Sequence, residues 1–126
     1  ESGGDRTVTD LNISAADEKM LENLRLSLEQ KDRKDIPVIG IIIAGRPVDI
    51  AEYMDIFDAV IMAWLPGSEG EGIGDVLFGD FDFSGKLNYT WMKSPEDIED
   101  KFEEENEEKV LFERGFGLNK NGDILQ

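Results

Sequence analysis

The 126-residue chain has no cysteine and no histidine. Without thiols there is no disulfide, no thiolate nucleophile and no thiolate metal site, and the redox compartment is left undecided. Without imidazole, the Ser-His-Asp and Cys-His arrangements fall away together with the commonest zinc ligand. Acid or base chemistry then has to come from carboxylates, with Lys and Tyr as weaker alternatives. Cationic residues are scarce as well: 13 Lys and Arg stand against 29 Asp and Glu, a formal charge of −16. A field of that sign repels phosphate backbones and argues against a nucleic-acid partner. No apolar run approaches the ~20 residues of a membrane span, and Glu1 to Asp5 lack the basic-then-apolar pattern of a signal peptide, so no membrane role is expected.

What is present fits one domain, residues 1–126, with a usable core and no room for a second, catalytic domain. The chain starts at Glu1 rather than at Met, as a processed chain or a piece of a longer one would. Half of the net charge lies between Ser94 and Glu108, where nine acids meet one Lys. Such a run is expected to form a solvated face rather than a cation site.

Ser14-Ala15-Ala16-Asp17 is a capping pattern that starts a helix, with Ala16, Met20, Leu21, Leu24 and Leu28 expected on its buried face. Glu22, Asn23, Arg25 and Glu29 fall mostly on the other side. The β-branched run Ile36 to Ala44 predicts a parallel strand covered on both faces, with Pro37 tolerable near its beginning. Asp49 to Phe57 predicts a short helix capped by Asp49, and Ala59 to Leu65 a second buried strand. Together they make a βαβ unit, which places functional loops beyond the strand C-termini. A short helix over 73–78, a strand over Lys86 to Met92 and a helix starting at Ser94-Pro95 are predicted next, while Asn119 to Gln126 carry no clear signal.

The glycine loop Gly67 to Gly74 sits where a dinucleotide site would, but Asp75 stands where the last glycine of a Gly-x-Gly-x-x-Gly pattern counted from Gly70 is required. Glu69 and Glu71 would also oppose a pyrophosphate. The two acids can be read as a carboxylate pair acting on a sugar or, for Glu69, as a residue ordering the start of the next helix. Arg46, at the mouth of a strand, is a candidate clamp for a carboxylate or a loop-ordering residue. Trp64, closing an apolar strand, is expected in the core. Trp91, near an edge, is the more open of the two to a ligand or domain contact.

Several segments together carry a family likeness: Gly45-Arg46-Pro47, Ala63-Trp64-Leu65-Pro66-Gly67-x-Glu69-Gly70, Asp75-Val76-Leu77-Phe78-Gly79-Asp80, Ser84-Gly85-Lys86-Leu87, Thr90-Trp91-x-Lys93-Ser94 and Phe112-x-x-Gly115-Phe116-Gly117-Leu118. From about Glu1 to Leu118 the chain resembles the second half of the C-terminal domain of glycoside hydrolase family 3, the β-glucosidase type. The resemblance implies an α/β fold, a three-layer sandwich with a mainly parallel sheet, packed on an N-terminal (β/α)8 barrel. It implies a retaining β-glycosidase acting on a β-glucoside or oligosaccharide, with no cofactor and no metal. In many members the nucleophile is a barrel aspartate, which this chain lacks, and the acid/base glutamate lies in a Glu-x-x-Gly-Asp setting. Glu1-Ser2-Gly3-Gly4-Asp5 fits that setting and makes Glu1 the candidate acid/base, with a mere chain boundary as the alternative.

On this reading the chain carries about half of the family sheet and leaves an open edge or exposed apolar face for dimerisation, domain exchange or a partner fragment to cover. The fragment alone is expected to be inactive. A stand-alone carbohydrate- or protein-binding module is the alternative, and a flavodoxin-like nucleotide domain a third reading that lacks its phosphate loop. By resemblance the whole protein is secreted or periplasmic, with a cytoplasmic location left open.

Overall fold

A computed structural model describes residues 11–31, 36–98 and 107–126. The chain divides into two units, Glu1–Trp64 and Leu65–Gln126. The first unit holds one long helix, α1 (Ala15–Lys31), and two parallel strands, β1 (Ile39–Ile42) and β2 (Ala59–Met62).

Helix α1 begins where the capping pattern places it. The Asp17 amide donates to Ser14 Oγ at 3.2 Å, and the hydroxyl donates to Asp17 Oδ2 at 2.7 Å. Asp17 and Glu18 put negative charge in the first turn, where the helix dipole favours it. The buried face differs from the expected one. Leu21 is buried, with Leu24 and Leu28 packed beside it, but Met20 is 57% exposed and Ala16 faces solvent. Arg25 belongs to the buried side: Nη2 donates to the Glu52 carbonyl and to Asp55 Oδ1, both at 2.7 Å, and the guanidinium lies 5.6 Å from the Tyr53 ring centroid. A long apolar stem, with Nη2 bonded twice and Nε buried without a hydrogen-bond partner, packs where a leucine would.

The strands pair in register, Ile39 with Ala59 through Ile42 with Met62. Asp58 fastens the start of the ladder, its amide donating to the Val38 carbonyl at 2.8 Å and its Oδ2 accepting from the Val38 amide at 2.7 Å. Gly40 admits the Phe57 ring, whose atoms would lie 3.0 Å from a Cβ at that position. Burial on both faces does not hold for β1, where Ile39, Ile41 and Ile43 are exposed and Gly40 and Ile42 half-buried.

The crossover is a single 3₁₀ turn, Ala51–Tyr53, instead of the expected α-helix over 49–57. Ile50, not Asp49, takes the cap position, and no side chain caps it. Ile50, Tyr53 and Ile56 are buried at steps of three, the period of a 3₁₀ helix rather than 3.6. Tyr53 and Ile56 join Leu21 as the centre of this unit's core.

In the second unit, α2 (Glu71–Leu77) ends in a Schellman motif. The Asp80 amide donates to the Asp75 carbonyl at 2.8 Å and the Gly79 amide to the Val76 carbonyl at 3.2 Å, with Gly79 at φ +92°. The predicted strand over 86–92 shrinks to β3 (Trp91–Met92), antiparallel to β4 (Val110–Phe112). Its first half is diverted, because Leu87 donates to the Phe116 carbonyl at 2.8 Å and accepts from the Gly115 amide at 2.7 Å. The predicted helix at Ser94-Pro95 is a 3₁₀ turn, Pro95–Ile98, and the acidic segment beyond it lies outside the described residues.

Trp91 and Met92 form this unit's core. Trp91 meets Phe112 edge-on at 6.2 Å, and Phe112 stacks on Phe116 at 5.2 Å. The C-terminal segment is a hairpin with a Leu118–Ile124 bridge, its tip fastened by Asn119 Oδ1, which accepts from the Asn121 and Asp123 amides at 2.8 and 3.0 Å. The architecture is thus α/β, with one small parallel and one small antiparallel sheet among the described residues.

Two glycines separate steric from conformational cost. A Cβ on Gly117 would sit 2.4 Å from the Gly85 carbonyl oxygen, whereas one on Gly79 would meet nothing within 4 Å. Gly117→Ala should therefore destabilise by about 2 kcal/mol through a forced backbone shift, and Gly79→Ala by about 1 kcal/mol from its left-handed backbone alone. Urea unfolding of the two variants checks the order; equal or reversed losses would contradict the close approach at Gly117.

Candidate functional site

In an open α/β sheet, ligands gather beyond the carboxyl ends of parallel strands. In the first unit that edge consists of Ile43 to Val48 after β1 and Ala63-Trp64 after β2. The ladder reaches its limit at Ala63, whose amide donates to the Ile42 carbonyl at 2.9 Å. The next residue turns sharply. Trp64 has φ +56°, the one non-glycine residue with positive φ among the described residues. A residue held there costs about 1–3 kcal/mol and persists where its surroundings over-determine it, commonly at functional sites.

The two tryptophans exchange their expected places. Trp64 is 37% exposed, whereas Trp91 is 3% exposed and packs with Tyr89 at 6.1 Å and Phe112. Trp64 leaves the strand at its left-handed turn, beyond a β2 whose own residues are at most half-buried, and the ring contacts of the second unit enclose Trp91. Arg46 is half-buried in the loop after β1, beside Pro47 and Val48.

In the second unit, Pro66 to Glu69 form a turn closed by the Glu69 amide, which donates to the Pro66 carbonyl at 3.0 Å, with Gly67 at φ +58°. The Glu69 carbonyl accepts from the Gly72 amide at 3.1 Å, and its side chain accepts from Ser68 Oγ at 3.3 Å. Gly70 holds the cap position of α2 without a side-chain cap bond. Glu69 thus orders the approach to the helix chiefly through its backbone. Glu69 and Glu71 are both exposed. Leu65, Phe78 and Phe81 are exposed apolar residues of the same unit, Phe78 at 84%.

Glu1 and its Glu-x-x-Gly-Asp setting lie outside the described residues. Among the described residues, no three His, Cys, Asp or Glu side chains could hold a metal ion, and no helix is long and apolar enough to cross a membrane.

Among the described residues, three titrations are displaced. Burial pushes the Tyr89 phenol up to about 12. Tyr53 is also raised, first by burial, then by its hydrogen bond to Glu52 and by the charges of Glu52, Glu18 and Glu22. The exposed Glu96 is lowered by the Ser94 hydroxyl and by its own backbone amide.

Residues 1–120 match the model of the glycosyl hydrolase family 3 C-terminal domain, and the chain belongs to that family. Over 99 residues it is 31% identical to a xylan 1,4-β-xylosidase of Xylanibacter ruminicola, covering 78% of this chain and 10% of that protein. A probable β-glucosidase E of Aspergillus oryzae is 47% identical over 64 residues, 48% of this chain and 6% of the relative. A periplasmic β-glucosidase of Salmonella typhimurium is 37% identical over 59 residues, 46% of this chain and 8% of the relative. The chain thus spans a tenth or less of the length of these curated relatives.

Both tyrosines hold their protons more tightly in the folded chain than in the unfolded one, where the phenol ionises near 10. The stability they contribute is complete below that value and is lost as pH rises through the folded values, for Tyr89 between 10 and about 12. Alkaline unfolding should fall in that window, with phenolate absorbance and loss of helix signal rising together. Tyr89→Phe should move the midpoint upward. A phenol ionising near 10 in a fully folded chain, for both tyrosines, would contradict this.

Proposed function

We propose that this chain is the C-terminal part of a retaining β-glycosidase of the β-glucosidase type, which removes terminal β-linked sugars. The observation that carries this reading is the family match over residues 1–120, supported by relatives named as β-glucosidases and a β-xylosidase. The family match and the charge of −16 both speak for a sugar ligand over a nucleic acid.

In the whole protein, residues 1–126 form one piece of a three-layer sandwich with a mainly parallel sheet, packed on a (β/α)8 barrel. The parallel β1–β2 pair and the exposed row Ile39, Ile41 and Ile43 support a strand made to be covered by a further layer.

The chemistry divides between the two parts. A barrel aspartate attacks the anomeric carbon while Glu1 protonates the departing oxygen. Glu1 then takes a proton from the water that releases the sugar, which preserves the anomeric configuration. In a retaining pair the two carboxyl groups stand roughly 5 Å apart, so this chain holds one half of a site that only the assembled protein completes. Glu1 has the right chemistry for the acid/base half because its neutral form donates and its ionised form accepts at the same oxygen.

Two outcomes follow. In the whole enzyme, Glu1→Gln should lower turnover of glycosides with poor leaving groups by about 10²–10⁴-fold and spare activated aryl glycosides far better, since these leave without a proton. Equal loss on both substrates, or no loss, would remove Glu1 from the role. The 126-residue chain alone should not hydrolyse an aryl β-glucoside above the uncatalysed rate. Turnover by chain freed of contaminating glycosidase would show that the barrel is not needed.

A further inference from the structure

We propose that Asn121 is a self-modifying site, at which the Gly122 nitrogen closes on the Asn121 side-chain carbonyl carbon and the ring then opens to aspartate or isoaspartate. The inference stands apart from the glycosidase reading and lies just beyond the residues 1–120 of the family match. It starts from the sequence. The chain has six asparagines, and Asn121 alone is followed by glycine. The other five precede Ile13, Leu24, Tyr89, Glu107 and Lys120, whose side chains crowd the nitrogen that would have to attack. Gly122 carries no such shield, and its backbone can bend into the ring closure without a Cβ penalty.

The reaction balances with water as its one co-reactant. The Gly122 amide gives up its proton and bonds to Asn121 Cγ, the Cγ–Nδ2 bond breaks, and the side-chain nitrogen leaves as ammonia. Water then adds to either carbonyl of the cyclic imide. Opening at the side-chain carbonyl restores the backbone and leaves aspartate. Opening at the main-chain carbonyl leaves isoaspartate, in which the backbone runs through the side chain and gains a methylene.

The hairpin tip sets the rate. Asn121 and Gly122 are both exposed, and a Cβ on Gly122 would meet nothing within 4 Å, so water and base reach the bond. The Asn121 carboxamide has no hydrogen-bond partner among the described residues and can rotate. The Gly122 nitrogen, by contrast, is held, donating to the Asn119 carbonyl at 3.0 Å. Asn119 tightens the same turn from its side chain, where Oδ1 accepts from the Asn121 and Asp123 amides and Nδ2 donates to Asp123 Oδ2 at 3.1 Å. A nitrogen engaged as a donor has to leave its bond before it attacks, so Asn119 acts as the brake. Exposed backbone hydrogen bonds of this kind open locally without global unfolding.

The test follows the folded 126-residue chain in ¹⁸O-labelled water, by peptide mass spectrometry with fragmentation that separates isoaspartate from aspartate. Residue 121 should take up one labelled oxygen per event and accumulate isoaspartate, which the cyclic route gives and direct hydrolysis does not. Its rate should rise in proportion to hydroxide while the other five asparagines stay intact. With an unchanged far-UV spectrum, Asn119→Ala should convert about tenfold faster, the size of one or two net hydrogen bonds. In urea, where the tip is open in both chains, that advantage should vanish, and Gly122→Ala should convert severalfold more slowly than the parent. The proposal is overturned if the native chain gains no isoaspartate at 121, if another asparagine converts faster, or if a folded Asn119→Ala chain converts no faster than the parent. Should Asn119→Ala fold poorly, labelling at 121 against the other five asparagines in the native parent still decides.

Discussion

Val38 meets Asp58 twice, amide to carboxylate and carbonyl to amide, and this clasp fixes where the parallel ladder begins. Because side chains alternate along a strand, a slip of one residue would exchange the two faces of β1. Ile39, Ile41 and Ile43 would then turn toward the side now held by Gly40 and Ile42, and the Phe57 ring would lose the glycine that admits it. The position of Trp64 follows from the same start, since the ladder runs from Val38 to its last bond at Ala63 and the left-handed turn comes one residue later. One short-range clasp between a strand entry and the residue before its neighbour therefore sets both the packing of the first unit and the geometry of its carboxyl edge.

How far the sequence disclosed this depended on the range of the cause. The cap at Ser14 was legible because it needs only a hydroxyl and an amide three residues on. The order strand, crossover, strand was legible from two apolar runs separated by enough chain for the crossover that a parallel pair requires. The buried face of α1 was not, because Met20 and Leu21 are both apolar and periodicity alone could not choose between them. The choice fell to Tyr53 and Ile56, which are distant in sequence, and it brought Arg25 inward. The predicted strand over 86–92 was cut short by a partner nearly thirty residues away, where Gly115 and Phe116 take the hydrogen bonds of Leu87. The terminal hairpin did leave a signal, Asn121-Gly122, which is a turn pair between short apolar segments.

The site divides in the same way. The family was legible because its motifs span many fixed positions, from Gly45-Arg46-Pro47 to Phe116-Gly117-Leu118. The weakness of the glycine loop as a nucleotide site was also legible, and the seven-residue α2 behind it, with exposed Glu69 before it and exposed Glu71 as its first residue, has the same character in three dimensions. The inversion of the two tryptophans was not legible. Hydropathy treats Trp64 and Trp91 alike, and no local rule assigns a positive φ to an indole residue between Ala63 and Leu65. A strained conformation of that kind is a property of the assembled fold and becomes visible only with the backbone.

The three-step spacing of Ile50, Tyr53 and Ile56 limits how this crossover can vary in length. Each residue of a 3₁₀ turn advances the chain by about a third of a revolution, so deleting or inserting a single residue between Ile50 and Ile56 would swing one end of the trio off the buried side. Three-residue changes would keep the phase, and single-residue changes would not. Natural length variation among related chains should therefore gather outside this segment, in stretches whose side chains do not have to keep one buried side in phase.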